Sequence, residues 1–241
     1  MERLIQGAKR LEVELTPRQL GQFHSYYREI ASWNKQINLT AIVNYEEVQI
    51  KHFLDSLTVT LAIDKAAIKN EANLSVIDVG TGAGLPGIPI RILFPQIKLA
   101  LLDSTSKKIA FLCHVTKQLG LDGIEIITGR AEEVAHQPQY REQFQLVLSR
   151  AVAKLATLAE LTLPFCQIGG TVIAQKKGEI RKELTNAANA INTLGGKLRE
   201  LKKIDLEEFE DERYLVIIDK TNPTPQEYPR RPGVPARRPI Q

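Results

Sequence analysis

Between Thr16 and Ile37 apolar side chains recur every three or four residues, at Leu20, Phe23, Tyr27, Ile30, Trp33 and Ile37, a period that predicts an amphipathic helix. Thr16-Pro17 starts it, with a capping hydroxyl and then proline at the first helical position. Asn44 caps a second helix with Glu46 and Glu47 in its positive first turn, and Val48, Phe53 or Leu54, Leu57 and Leu61 form its apolar stripe. From Leu74 the pattern changes to short β-branched runs alternating with helical stretches, the mark of a parallel sheet with crossover helices. Strands are expected near 74–79, 97–102, 124–128, 144–149, 170–175, 198–204 and 213–219, with helices between the first five. The acidic loop Glu207 to Arg213 leaves little room for a crossover helix, so the last two strands should pair as an antiparallel edge hairpin. Three regions result: a helical cap over 1–72, an α/β domain over 73–220, and a tail over 221–241. That tail holds six prolines and almost no apolar periodicity, so it is expected to be extended rather than packed.

Composition narrows the class without changing this outline. The 241 residues are 43% hydrophobic, enough for a sizeable core. No apolar run approaches the roughly 20 residues of a membrane span, and Met1 to Thr16 is charged where a signal peptide would be apolar. A cytoplasmic protein with no membrane partner is therefore expected. Cys113 and Cys166 lack the spacing of a zinc site, so both are expected to be buried structural thiols and no metal is anticipated. The net charge of +4 equals the four arginines beyond Glu227, namely Arg230, Arg231, Arg237 and Arg238. The tail is thus the electrostatic handle, and a flexible proline-rich segment with paired arginines suits RNA phosphates.

Candidate chemistry begins where the first strand, Ser75-Val-Ile-Asp-Val, runs into Gly80, Gly82, Gly84 and Gly87. Glycines let the backbone turn tightly and approach a nucleotide with no β-carbon in the way. Asp103, nineteen residues beyond Gly84 at the end of the second strand, is placed to accept hydrogen bonds from ribose hydroxyls. NAD and S-adenosyl-L-methionine would both use these features. Asp78, just before the glycines, favours the second, because a carboxylate at the strand tip suits a cationic ligand and repels a pyrophosphate. No tyrosine has lysine four residues on, so the Tyr-x-x-x-Lys pair of short-chain dehydrogenases is missing. Thr128-Gly-Arg-Ala-Glu132, after the third strand, lies where an adenine ring would be edged by backbone and an acidic side chain.

Longer stretches are more specific than the glycines. Trp33-Asn-Lys-Gln-Ile-Asn-Leu-Thr40, His52-Phe-Leu-Asp-Ser56, Ile77 through Leu85-Pro-Gly-Ile-Pro89, Leu101-Leu-Asp-Ser104, Arg130-Ala-Glu132, Ser149-Arg-Ala151, Lys177-Gly178 and Tyr228-Pro-Arg-Arg-Pro-Gly-Val-Pro235 together resemble the bacterial small-subunit ribosomal RNA guanine-N7 methyltransferases, the RsmG or GidB family. The likeness covers about residues 20 to 240, departing locally at Ala83, where the family often has proline. It implies a seven-stranded, Rossmann-like class I methyltransferase sheet with an N-terminal helical cap, moving a methyl group to N7 of one guanine in 16S rRNA. It also implies that Gly80, Leu85, Asp103, Ser104, Thr105, Ala131, Glu132 and Arg150 hold S-adenosyl-L-methionine, joining Asp78, Gly82 and Gly84.

Guanine N7 carries an in-plane lone pair and no proton, so attack on a methyl group needs alignment and exclusion of water but no general base. The fourth strand accordingly ends in Leu146-Val-Leu-Ser-Arg150 and lacks the Asn-Pro-Pro-Tyr run of amino-methylating enzymes. Arg150 is expected to position cofactor or nucleotide through its planar donor fork. His52, Asp55 and Ser56 share one side of a helix and are candidates to line the guanine entrance. Lys176 and Lys177, beyond the fifth strand, extend the RNA surface begun by Arg230, Arg231, Arg237 and Arg238. The partner is 16S rRNA or the small ribosomal subunit, and nothing in the chain demands a dimer, so a monomer is expected.

Overall fold

The computed structural model describes residues 1–63, 74–150 and 153–241. Its centre is a seven-stranded sheet: β1 Ser75–Val79, β2 Lys98–Asp103, β3 Glu125–Thr128, β4 Phe144–Arg150, β5 Cys166–Lys177, β6 Gly196–Ile204 and β7 Arg213–Lys220. The spatial order is β3-β2-β1-β4-β5-β7-β6, with β1 to β5 parallel and β7 antiparallel to both β5 and β6. The expected hairpin of the last two strands is present, but β7 turns inward and β6 takes the edge. The chain steps outward from β1 through β2 to β3, then returns to β4 on the other side of β1. This reversal opens a crevice between β1 and β4 beyond their carboxyl ends, the usual ligand site of such sheets.

The helix Pro17–Ile37 begins as its sequence demands: Thr16 Oγ1 accepts the Gln19 N–H while the Gln19 side chain accepts the Thr16 N–H. Its buried face is Phe23, Tyr26 and Ile30, so Tyr26 replaces the half-buried Tyr27 of the expected stripe. Asn44 caps the second helix by accepting from Glu46 and Glu47 N–H groups. That helix tightens and widens along its length, passing through a π-helical turn at Gln49–Leu54. These N-terminal segments share one apolar core with one face of the sheet, where Leu4, Phe23, Phe53 and Leu57 meet Val76, Leu101, Leu148 and Ile217. The opposite face is covered by helices Leu155–Thr162 and Arg181–Thr193. The second of these lies between β5 and β6, where no helix was expected, although Ala187, Ala190, Ile191 and Leu194 supply a helical stripe.

Two further expectations fail. Cys113 is exposed, because Phe111, Leu112, Val115 and Thr116 take the inner face of helix Ser106–Gln118; Cys166 is buried, and burial pushes its thiol up to about 12. The tail is packed rather than extended into solvent. Arg141 donates to the carbonyls of Thr224, Pro225 and Tyr228, His136 meets the carbonyl of Pro229, and Thr157 donates to that of Pro235. Side chains that absorb a proline-rich segment's unpaired carbonyls are what allow it to dock without joining a sheet. Among the described residues no helix is long and apolar enough to cross a membrane.

Candidate active site

Two clefts flank the crevice. The first, about 290 Å³, is lined by Gly80, Asp103, Ser104, Thr105, Lys108, Gly129, Arg130, Ala131 and Glu132 over an apolar floor of Val79, Leu102 and Leu161. Gly80 and Thr81 N–H groups donate to the Leu102 carbonyl, which stitches the turn after β1 to β2. Asp103 locks the same turn: its carboxylate accepts from Gly82 N–H at 3.0 Å and from Thr105 N–H at 2.9 Å, with Lys108 Nζ 3.5 Å away. Gly82 has φ +61°, and a β-carbon there would project into open space. Here the glycine is required by conformation and leaves the turn uncovered on its outer side.

The other loop residues brace the turn from inside. Asp78 is fully buried, so it lies beneath the cleft rather than in its wall and braces the turn. Its Oδ2 accepts from Thr81 Oγ1 at 2.6 Å and from Gly87 N–H at 2.8 Å, while Oδ1 has no partner among the described residues. Burial dominates these bonds and pushes its carboxyl up to about 6. A β-carbon at Gly84 would collide with Ile88 and the Tyr26 hydroxyl, so this glycine serves helix packing. Leu85 is likewise buried in the core. Tyr26 Oη donates to the Ala83 carbonyl at 2.5 Å, tying the helical cap to the glycine turn. No period-based reading separates it from its neighbour Tyr27.

The second cleft, about 490 Å³, is lined by Ile42, Lys51, His52, Asp55, Arg150, Gln175, Lys176, Lys177, Glu210, Asp211 and Arg213. It brings together His52, Asp55 and Arg150, as expected, but Arg150 belongs to this cleft rather than to the first. Asp55 is the hub: Oδ2 accepts from Arg150 Nη1 at 2.9 Å, and Oδ1 forms an ion pair with Arg213 Nη1 at 2.6 Å. Arg150 Nη1 also donates to the Lys51 carbonyl, and Arg213 lies 4.3 Å from the centre of the Phe209 ring. His52 Nε2 contacts Thr40 Oγ1 at 2.9 Å and Nδ1 contacts the Lys51 carbonyl at 3.1 Å. Burial, reinforced by the Arg150 charge, lowers its pKa to about 4, so the ring is neutral and both nitrogens are engaged. Ser56 turns away and donates to the His52 carbonyl.

The basic residues divide. Arg230 is no free phosphate ligand: it donates to both oxygens of Glu160, a fully buried carboxylate, through Nε, Nη2 and its own N–H. Lys176 is also committed, pairing with Glu183 at 2.6 Å and donating to the Ala153 carbonyl. Lys177, Arg231, Arg237 and Arg238 are exposed. The tail reaches the first cleft, where Gly233 N–H donates to Glu132 Oε1 at 3.0 Å. Burial opposes ionisation of Glu132, yet Gly233 and Arg130 outweigh it and hold its pKa below the ordinary value.

Sequence reading missed Lys108, Gln175, Arg213 and the anchors Arg141 and Glu160. Glu160 did leave a signal, a lone acid inside the apolar run Leu155 to Phe165. Arg213 left none as a site residue, because it reaches the edge only through the reversed direction of β7, opposite Lys177.

Proteins of known name are similar to this chain over nearly its whole length. The ribosomal RNA small subunit methyltransferase G of Dehalococcoides mccartyi is 52% identical over 240 residues, covering 100% of both chains. The protein of that name from Alkaliphilus metalliredigens is 43% identical over 235 residues, covering 98% of this chain and 96% of its own. In fold alone, a variant of the 16S rRNA (adenine(1408)-N(1))-methyltransferase from Catenulisporales acidiphilia, solved with cosubstrate SAM, has a TM-score of 0.52 at 12% identity, over 66% of this chain and 91% of its own. A family model described as rRNA small subunit methyltransferase G matches residues 19–213, and the chain belongs to that family, GidB.

Proposed function

We propose that this chain transfers a methyl group from S-adenosyl-L-methionine to N7 of one guanine in the 16S rRNA of the small ribosomal subunit. The observation that carries this reading is the engagement of His52 and Asp55 in the second cleft: His52 is neutral with both nitrogens in contact, and the Asp55 carboxylate is held between Arg150 and Arg213. Such a site suits a nucleophile that brings its own lone pair and has no proton to lose, which describes guanine N7.

The first cleft fits the cofactor. Gly82 leaves the turn open to a ligand, and Asp103 keeps acceptor capacity beyond its two backbone bonds. Asp103 would hold the ribose, the backbone from Asp103 to Thr105 and from Gly129 to Glu132 would border the adenine, and Gly80 would face the amino-acid portion. The bound cofactor supplies an electrophilic methyl group. Arg150 and Arg213, both fixed by Asp55, would orient the nucleotide, and the helical cap over the crevice would exclude water. Outside the clefts, Lys177, Arg231, Arg237 and Arg238 would contact phosphates.

Incubating the protein with methyl-labelled S-adenosyl-L-methionine and unmethylated small subunits or 16S rRNA, followed by nuclease digestion, tests the reaction. Label in 7-methylguanosine is the expected result. Label in any other nucleoside, or none from either substrate, overturns the proposal.

A further inference from the structure

Gln175 stands out at the floor of the second cleft. It is 5% exposed, lines the cleft, and its Oε1 has no hydrogen-bond partner among the described residues. Its amide orientation is not arbitrary. The other end donates to the Asp55 carbonyl at 2.5 Å and to Thr58 Oγ1 at 3.1 Å, and a backbone carbonyl can only accept. The nitrogen must therefore face Asp55, which leaves the oxygen as a fixed buried acceptor. A buried acceptor without a donor is costly, and a ligand that donates to it removes that cost.

The sheet supplies the orientation. Gln175 on β5 is in register with Arg150 on β4, and β4 in turn neighbours β1, whose end leads to Gly80. Two strand spacings, about 10 Å, thus separate Gln175 from the cofactor turn. Guanine carries its donors, N1–H and the 2-amino group, on the edge across the ring from N7. A guanine lying across the carboxyl ends of the strands with that edge on Gln175 would present N7 toward the first cleft. Adenine offers no N1–H or 2-amino donor there.

We infer that Gln175 is a specificity-determining residue of the second cleft, its Oε1 accepting a hydrogen bond from N1–H or the 2-amino group of the target guanine. This rests on the proposed guanine-N7 reaction. The test uses reconstituted small subunits whose target guanine is replaced by inosine, which lacks the 2-amino group, or by 2-aminopurine, which lacks N1–H. Wild-type protein should lose about 10- to 100-fold in kcat/KM on at least one analogue. In Gln175→Met that penalty should shrink to about twofold or less, with the affinity for S-adenosyl-L-methionine unchanged as a folding check. An equal penalty in variant and wild type overturns the inference. So does a wild-type enzyme that methylates guanine and tolerates both analogues, a result independent of whether the variant folds. Wild-type protein that leaves ordinary subunits unmethylated overturns the parent reaction instead, and the inference with it.

Discussion

At the scale of single residues, the second cleft is governed by what each polar group is already doing. His52 shows this through its pH dependence. Its folded pKa of about 4 lies below the ordinary value of 6.5, so the unfolded chain takes up a proton first as pH falls. The stability due to the neutral ring is complete above about pH 6.5 and is lost toward pH 4, about 3 kcal/mol in all. Asp78 titrates in an overlapping window with the opposite sign: raised to about 6, its ionisation costs stability as pH rises through that range. A comparison of wild type with His52→Gln therefore isolates the imidazole. In urea denaturation the variant should gain on wild type as pH falls from 6.5 to 4, and a constant difference across that range would contradict the burial argument. His52 was legible in the sequence as part of the cleft, whereas its protonation state depends on burial and on Arg150, which approaches from the end of β4.

At the scale of elements, the tail and the π-helical turn carry most of the departure from sequence reading. Composition made 221–241 a mobile basic arm; instead, Arg141, His136, Thr157 and Glu160 accommodate its carbonyls and one of its arginines. These anchors lie far upstream and no local pattern connects them to the tail. Removing Arg230 strands the fully buried Glu160 carboxylate, so Arg230→Met should cost about 2–3 kcal/mol, discounted because the arginine itself is partly exposed. Glu160→Gln should cost less, since an amide oxygen still accepts the Arg230 N–H. Thermal and urea unfolding measure both, and equal losses would argue against a stranded charge. The π-helical turn at Gln49–Leu54 spans His52 and ends where Asp55 begins, and π turns are concentrated at functional sites.

At the scale of the whole molecule, the docked tail changes the expected RNA surface. Arg231, Arg237 and Arg238 are exposed while Arg230 is committed to Glu160. Replacing the three exposed arginines with alanine should weaken rRNA binding and reduce the slope of log K against log salt by about 2, with unfolding unchanged. Deleting residues 221–241 is a different experiment. It uncovers Glu160 and removes the Gly233 contact to Glu132, so it should lower stability and cofactor affinity together. A truncated chain that unfolds like wild type and binds S-adenosyl-L-methionine equally well would refute the structural role of the tail.

Period and local chemistry in the sequence determined what depends on neighbours along the chain: seven strands, the capped helix Pro17–Ile37, the glycine turn and Asp103 one strand away. Tertiary structure alone decided which groups meet. It set β7 inside β6 and so delivered Arg213 to Asp55; it buried Asp78 beneath the turn that its spacing pointed to; and it folded the tail onto Glu160 and Glu132. The physical reason is the same in each case. Helix and strand periods are local and repeat in the sequence, but a buried charge or hydrogen-bonding group takes its partner from whatever element packs against it, and that partner leaves no mark in its own surroundings.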